Sequence, residues 1–159
     1  MQMLDASSIV HAWDNYPEVQ FPKMWRWIAT EIANANISMV DVALDEVGHV
    51  SPECEDWLKN NGIGVIATSD QILKEALRIK NLLGIIGDRY GGGVDENDLI
   101  VISATKISVS RLVSNEAQQP GLPKLMANYK IPAVCSMQSI RVECINFLEL
   151  LKESKVVFG

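Results

Sequence analysis

The feature that most constrains this chain is the repeated alternation of very short apolar runs with longer amphipathic stretches. Met3-Leu4 stops at Asp5, and Ala6-Ser7-Ser8 then leads into Ile9-Val10-His11-Ala12-Trp13. This predicts a short buried strand ending at Asp5, with serines placed to cap the helix that follows. Pro17 ends that helix, and Pro22 suits the first turn of the next, where a missing N–H costs nothing. Trp25, Ile28 and Ile32 give the second helix an apolar face. Ile37 to Val40 predicts strand or strand-to-helix passage. Asp41 to Val47 begins a helix, and Ser51-Pro52 opens another that runs to Asn60-Asn61-Gly62. Gly64 to Ala67 predicts a strand, and Ser69-Asp70 caps a helix bearing Ile72, Leu73, Ala76, Leu77 and Leu83.

After the flexible turn expected at Gly91-Gly92-Gly93, Asp95 or Asn97 caps a helix containing Leu99, Ile102, Ser103 and Lys106. Ser110 to Ser114 has strand character, Leu125 to Tyr129 reads as helix, and Pro132 to Cys135 as extended chain. Arg141 to Cys144 predicts a last strand, before a closing helix around Phe147, Leu148, Leu150 and Leu151. Strands this short, alternating with helices, predict the α/β class: a mostly parallel central sheet with helices on both faces. In such a sheet, polar residues at the carboxyl ends of strands meet at the ligand crevice.

The 159 residues suit a single domain spanning 1–159, with a core large enough to need no staples. No apolar run approaches the roughly 20 residues that cross a bilayer, so no membrane partner is expected. The opening MQMLDASSIV lacks the charge and apolar stretch of a signal peptide, which predicts a cytoplasmic protein. Cys54, Cys135 and Cys144 form no CxxC pair, and an odd count points to reduced, apolar-packed thiols. A formal charge of −6 argues against a protein that simply coats nucleic acid. A nuclease with a local basic groove, or one shielded by a basic partner, stays compatible with it.

Four acids fall at predicted strand ends or helix starts: Asp5, Glu46, Asp98 and Glu116. Each has a local alternative. Asp5 suits a helix cap, Glu46 beside Asp45 suits a solvated face, Asp98 follows Asp95 and Glu96 at a helix start, and Glu116 sits in a Ser-Asn-Glu turn. Gathered by the fold, they would repel strongly: two like charges about 4 Å apart cost roughly 4 kcal/mol at an effective dielectric of 20. Such a cluster takes up protons or binds a divalent cation, and all-oxygen donors favour Mg²⁺ or Mn²⁺. Carboxylates with such an ion suit phosphoester hydrolysis by a metal-activated water.

The segment LDASSIVHAWDNYP resembles the opening of PIN-domain proteins, and FPKMWRWI, with Pro22, Trp25 and Trp27, resembles the helix that follows in a bacterial PIN-like family formerly of unknown function. VALDEVGH resembles the stretch carrying the second family acid, here Glu46. NDLIVISATK resembles the helix start with the third, here Asp98, while Asp95 and Glu96 compete for that place. LVSNE resembles the element in which Thr-x-Asp is usual, placing the last acid on Glu116, a longer carboxylate than usual. IPAVCSMQSIRVECINFLELLKE resembles the closing elements, so the similarity runs in order from residue 3 to about 152. The resemblance implies a three-layer PIN-like sandwich and a Mg²⁺- or Mn²⁺-dependent ribonuclease for single-stranded RNA, often a toxin restrained by an antitoxin and sometimes a homodimer. It implies that Asp5, Glu46 and Asp98 hold one or two ions, with Glu116 supporting a second ion or a water. Ser7 or Ser8 would orient a ligand carboxylate by hydrogen bonding, or would only cap the helix.

Other motifs carry less. His49, three residues after Glu46, shares its helix face, but no HExxH spacing accompanies the pair. The three glycines lack the Lys-Ser/Thr of a phosphate-binding loop. Lys74, Arg78, Lys80, Arg89, Lys106 and Arg111 read as an RNA-facing surface or, more simply, as solvated helix faces. Trp13, Trp25 and Trp57 read as core or interface residues.

Overall fold

The computed structural model describes residues 1–159. Five strands form one sheet: β1 (Gln2–Leu4), β2 (Ile37–Val40), β3 (Gly64–Ile66), β4 (Arg111–Val113) and β5 (Cys144–Ile145). Their order is β3-β2-β1-β4-β5, and every neighbouring pair is parallel. Met3 aligns with Ser38 on one side and Leu112 on the other. The chain therefore steps outward from β1 to β3, then crosses back to lay β4 on the opposite flank of β1. That reversal is a topological switch point, and the carboxyl ends of β1 and β4 border it.

Eight helices cover the sheet: α1 (Ala6–Asn15), α2 (Pro22–Ala33), α3 (Asp41–Val50), α4 (Pro52–Asn60), α5 (Asp70–Leu82), α6 (Glu96–Ile107), α7 (Ile131–Ser136) and α8 (Phe147–Ser154). With helices on both faces, the α/β sandwich expected from the alternation is the one observed. Trp25 of α2 is fully buried, with Trp13 of α1 and Trp57 of α4 edge-on to its ring at 5.3 and 4.8 Å. Its indole N–H donates to the Tyr16 carbonyl at 2.6 Å, so the one polar atom of this buried ring is paired. Leu99 through Thr105 of α6 are all buried, which marks α6 as the interior helix. The Ser103 and Thr105 hydroxyls are satisfied by the Leu99 and Val101 carbonyls, both at 2.7 Å.

Three local expectations are corrected. Pro132 to Cys135 is not extended but lies in α7, where Pro132 occupies the first turn. An apolar run this short does not distinguish strand from helix, and proline's fixed φ favours a helix start. The last strand begins at Cys144 rather than Arg141, whose φ of 51° turns the chain away from an extended path. Around residues 125–129 only one 3-10 turn, Met126–Asn128, forms. The triple-glycine segment and the residue after it bond to the turn at 126–129. The Gly92 N–H donates to Asn128 Oδ1 at 2.9 Å, and the Val94 N–H to the Tyr129 carbonyl at 2.9 Å. All three cysteines are free; Cys54 and Cys135 are buried.

Candidate functional site

Asp5 directly follows β1 and is only 3% exposed. Its amide donates to the Val113 carbonyl at 2.9 Å, which locks it beside the end of β4. Although it stands at the N-cap of α1, its side chain makes no capping bond. The carboxylate instead accepts from Ser7 Oγ at 2.6 Å and Ser114 Oγ at 3.0 Å. Those serines are themselves held: Ser7 Oγ accepts from the Asn115 N–H at 2.9 Å, and Ser114 Oγ from the Glu116 N–H at 3.2 Å. Asn115 Oδ1 in turn accepts from the Phe147 N–H at 2.9 Å, tying the network to the start of α8. Ser8 plays a different part, donating to the Asp5 carbonyl at 2.7 Å. Only Ser7 of that pair touches the carboxylate. Burial raises the Asp5 pKa despite the hydroxyl bonds that oppose it.

Glu46 reaches the same crevice from α3, where its Oε1 accepts from Asn97 Nδ2 at 2.9 Å. Burial raises its pKa, the Asn97 bond opposes this, and the charges of Asp5, Asp95 and Glu116 raise it further. Asp98 lies in the first turn of α6 in a reciprocal cap: its Oδ2 accepts from the Asp95 N–H, and Asp95 Oδ1 from the Asp98 N–H, both at 2.9 Å. Burial, then the charges of Asp95, Asp5 and Glu46, push the Asp98 pKa up to about 8. The charges of Asp5, Asp95 and Glu116 thus act on Glu46, and those of Asp5, Glu46 and Asp95 on Asp98, so that Glu116 is linked to the group through Glu46 alone. Glu96 diverges, lining a separate hollow with Leu73, Leu77 and Tyr90. Sequence reasoning missed Ser114, Asn97 and Asn115. The only signal was their position one or two residues from a nominated acid.

No Lys, Arg or His is ion-paired with any of these carboxylates; the five ion pairs all lie elsewhere. No group of three or more His, Cys, Asp or Glu side chains is arranged to hold a metal ion. The two facts are compatible: repulsion acts over many ångströms, whereas ligation of Mg²⁺ or Ca²⁺ needs oxygens at about 2.0–2.6 Å. The donor chemistry, oxygen only and without a competing cation, fits a hard dication.

Of the six nominated basic residues, Arg78, Lys80, Lys106 and Arg111 make contacts within the chain away from these acids. Arg78 and Lys106 both pair with Glu75, at 2.6 and 3.0 Å, and hold its carboxyl down at about 2. Arg111 pairs with Glu143 and Glu153 at the opposite, amino edge of the sheet, beside a hollow of about 490 Å³. Lys80 lies 5.3 Å from the Tyr90 ring centre. His49 is exposed and shares the Glu46 side of α3, where both line a hollow with Ala6, Ser7, Val10 and Val50.

A parallel five-stranded sheet in this order, flanked by helices, is a PIN-like α/β fold. The chain belongs to the family described as Domain of unknown function (DUF4411), whose model matches residues 2–158. No curated protein matches it. Among solved structures it is similar to VapBC2 from Rickettsia felis, bound there to a DNA fragment from its promoter, with 16% identity, TM-score 0.55, and 91% of this chain and 97% of that one covered. PAE2754 from Pyrobaculum aerophilum is similar at 12% identity and TM-score 0.53, covering 96% and 87%. A toxin–antitoxin complex from Klebsiella pneumoniae is similar at 11% identity and TM-score 0.50, covering 82% and 100%. At these identities the likeness establishes fold alone.

Proposed function

We propose that this chain is a Mg²⁺- or Mn²⁺-dependent endoribonuclease, formed as one domain over residues 1–159, and the toxin of a toxin–antitoxin pair. The observation that carries the reading is Asp5: a carboxylate buried at a strand end, held by two serine hydroxyls, ion-paired with no cation, and felt as a charge by Glu46 and Asp98. Asp5, Glu46 and Asp98 would hold the ion, with Glu116 in support. Bound there, a dication would lower the pKa of a water and offset charge on a phosphodiester. The chain's own part is to pre-set its carboxylates. Ser7 and Ser114 orient Asp5, Asn97 holds one oxygen of Glu46, and the Asp95 N–H holds one oxygen of Asp98. The partners that follow are RNA as substrate, an antitoxin protein and a second copy of the chain, all in the cytoplasm. Two of the similar structures, VapBC2 and the Klebsiella complex, support the antitoxin. No helix is long and apolar enough to cross a membrane.

The test is cleavage of single-stranded RNA with Mn²⁺. Asp5→Asn and Asp98→Asn are expected to abolish it while circular dichroism shows the fold retained. Undiminished cleavage by both variants rejects the site. A second reading, a non-catalytic binding module on the same fold, is favoured by the lack of three converging ligands. It predicts no heat of Mn²⁺ binding and no RNA cleavage, and metal-stimulated turnover removes it.

A further inference from the structure

Beside the acids lies a hollow of about 300 Å³ between α1 and α3, lined by Ala6, Ser7, Val10, Glu46, His49 and Val50. Two of its wall residues belong to the acid crevice: Ser7 donates to Asp5 at 2.6 Å, and Glu46 is bound to Asn97 at 2.9 Å. The two spaces therefore share a wall. We propose that this hollow is a nucleobase subsite, taking one unstacked base of a single-stranded RNA whose phosphodiester lies at the carboxylates. The proposal rests on the ribonuclease reading and adds to it the element that holds the substrate.

The lining chooses the occupant. No Lys or Arg faces the hollow, so it offers nothing to a phosphate. Glu46 repels an acidic side chain. A base is planar and uncharged, which suits a wall of Val10 and Val50 methyl groups with an imidazole at its edge. Single-stranded RNA is recognised mainly by bases splayed onto aromatic or histidine faces, and such stacking tolerates a protein of negative net charge better than backbone contact does. At about 300 Å³ the hollow matches the lower end of small-ligand sites and has room for a base. The His49 imidazole, which forms no ion pair and no hydrogen bond within the chain, gains a role here.

The experiment is simple because the chain has two histidines, His11 and His49. His11 lies outside the hollow, next to Asn15 and edge-on to Tyr16 at 6.1 Å, and serves as the internal control. Proton NMR of the imidazole signals is followed as each of the four ribonucleosides, which carry a base and no phosphate, is added to the wild-type chain without metal. The expected result is an upfield shift of the His49 signals, with His11 unmoved. His49→Ala, an exposed position, is expected to raise KM for a short RNA by about tenfold. The same loss is expected for the wild type acting on an RNA made abasic at the bound position, with no further loss when the two changes are combined. Cleavage by the wild type without a selective His49 shift overturns the base subsite and leaves the nuclease reading standing. A selective shift without any cleavage supports the subsite and overturns the nuclease. Silence with all four ribonucleosides overturns it and assigns the hollow to another occupant, such as an apolar side chain of a protein partner.

Discussion

Asp5 and Asp98 are both carboxylates drawn toward their neutral forms, yet each is held in place differently. Asp5 is gripped by two hydroxyls from distant segments, whereas Asp98 is gripped by the backbone of its own helix. The Asp98 pKa of about 8, against an ordinary 3.8, has a consequence for stability. Between those values the folded chain binds more protons than the unfolded one, so stability falls as pH rises. That contribution is fully present below about pH 4 and lost as pH climbs through about 8. Raised values at Asp5 and Glu46 act with the same sign. In chelator, the thermal midpoint is expected to drop from about pH 5 to about pH 8, and Asp98→Asn to flatten the slope. A midpoint independent of pH over that range contradicts the electrostatic account.

At the scale of elements, the loop before α6 positions two of the five acids, and its glycines do unequal work. A Cβ on Gly93 would run into the Tyr129 backbone carbonyl, whereas one on Gly92 would meet nothing closer than Asn128 Oδ1 at 4.0 Å. Gly93→Ala is expected to destabilise by about 1–3 kcal/mol through forced backbone displacement, and Gly92→Ala by much less. Urea unfolding of the two variants measures the difference, and equal midpoints would mean that the loop yields freely. The alternation of strand and helix was legible because each segment carries its own period and caps. This contact was not, because nothing in Gly-Gly-Gly records that residues 127–129 lie against it. The misread α7 has the opposite cause: the proline signal was present, but four apolar residues show no period.

For the whole molecule, a net charge of −6 and a crevice of unpaired acids act together. A hard dication that binds the folded chain alone adds stability by mass action, about 2.7 kcal/mol at one hundred times its dissociation constant. For a chain of this size that is roughly 5–10 °C in Tm. Mn²⁺ is expected to raise the melting temperature of the wild type by about that amount, and Asp5→Asn to lose most of the gain. An equal gain in both, read by differential scanning fluorimetry, would place the ion elsewhere on the acidic surface.

Local patterning was enough to establish a parallel α/β sheet and the end of β1 just before Asp5. Those properties depend on neighbours within a turn or two of chain, and short-range sterics and capping write them directly into the order of residues. Which acids meet was decided by packing. Ser114 reaches Asp5 across 109 residues, and Asn97 reaches Glu46 across 51. Asp95 turns toward Asp98 while its neighbour Glu96 faces another hollow. Contacts over such separations arise from the order in which strands pair and from the angle at which α3 and α6 settle on the sheet, and no local spacing encodes either.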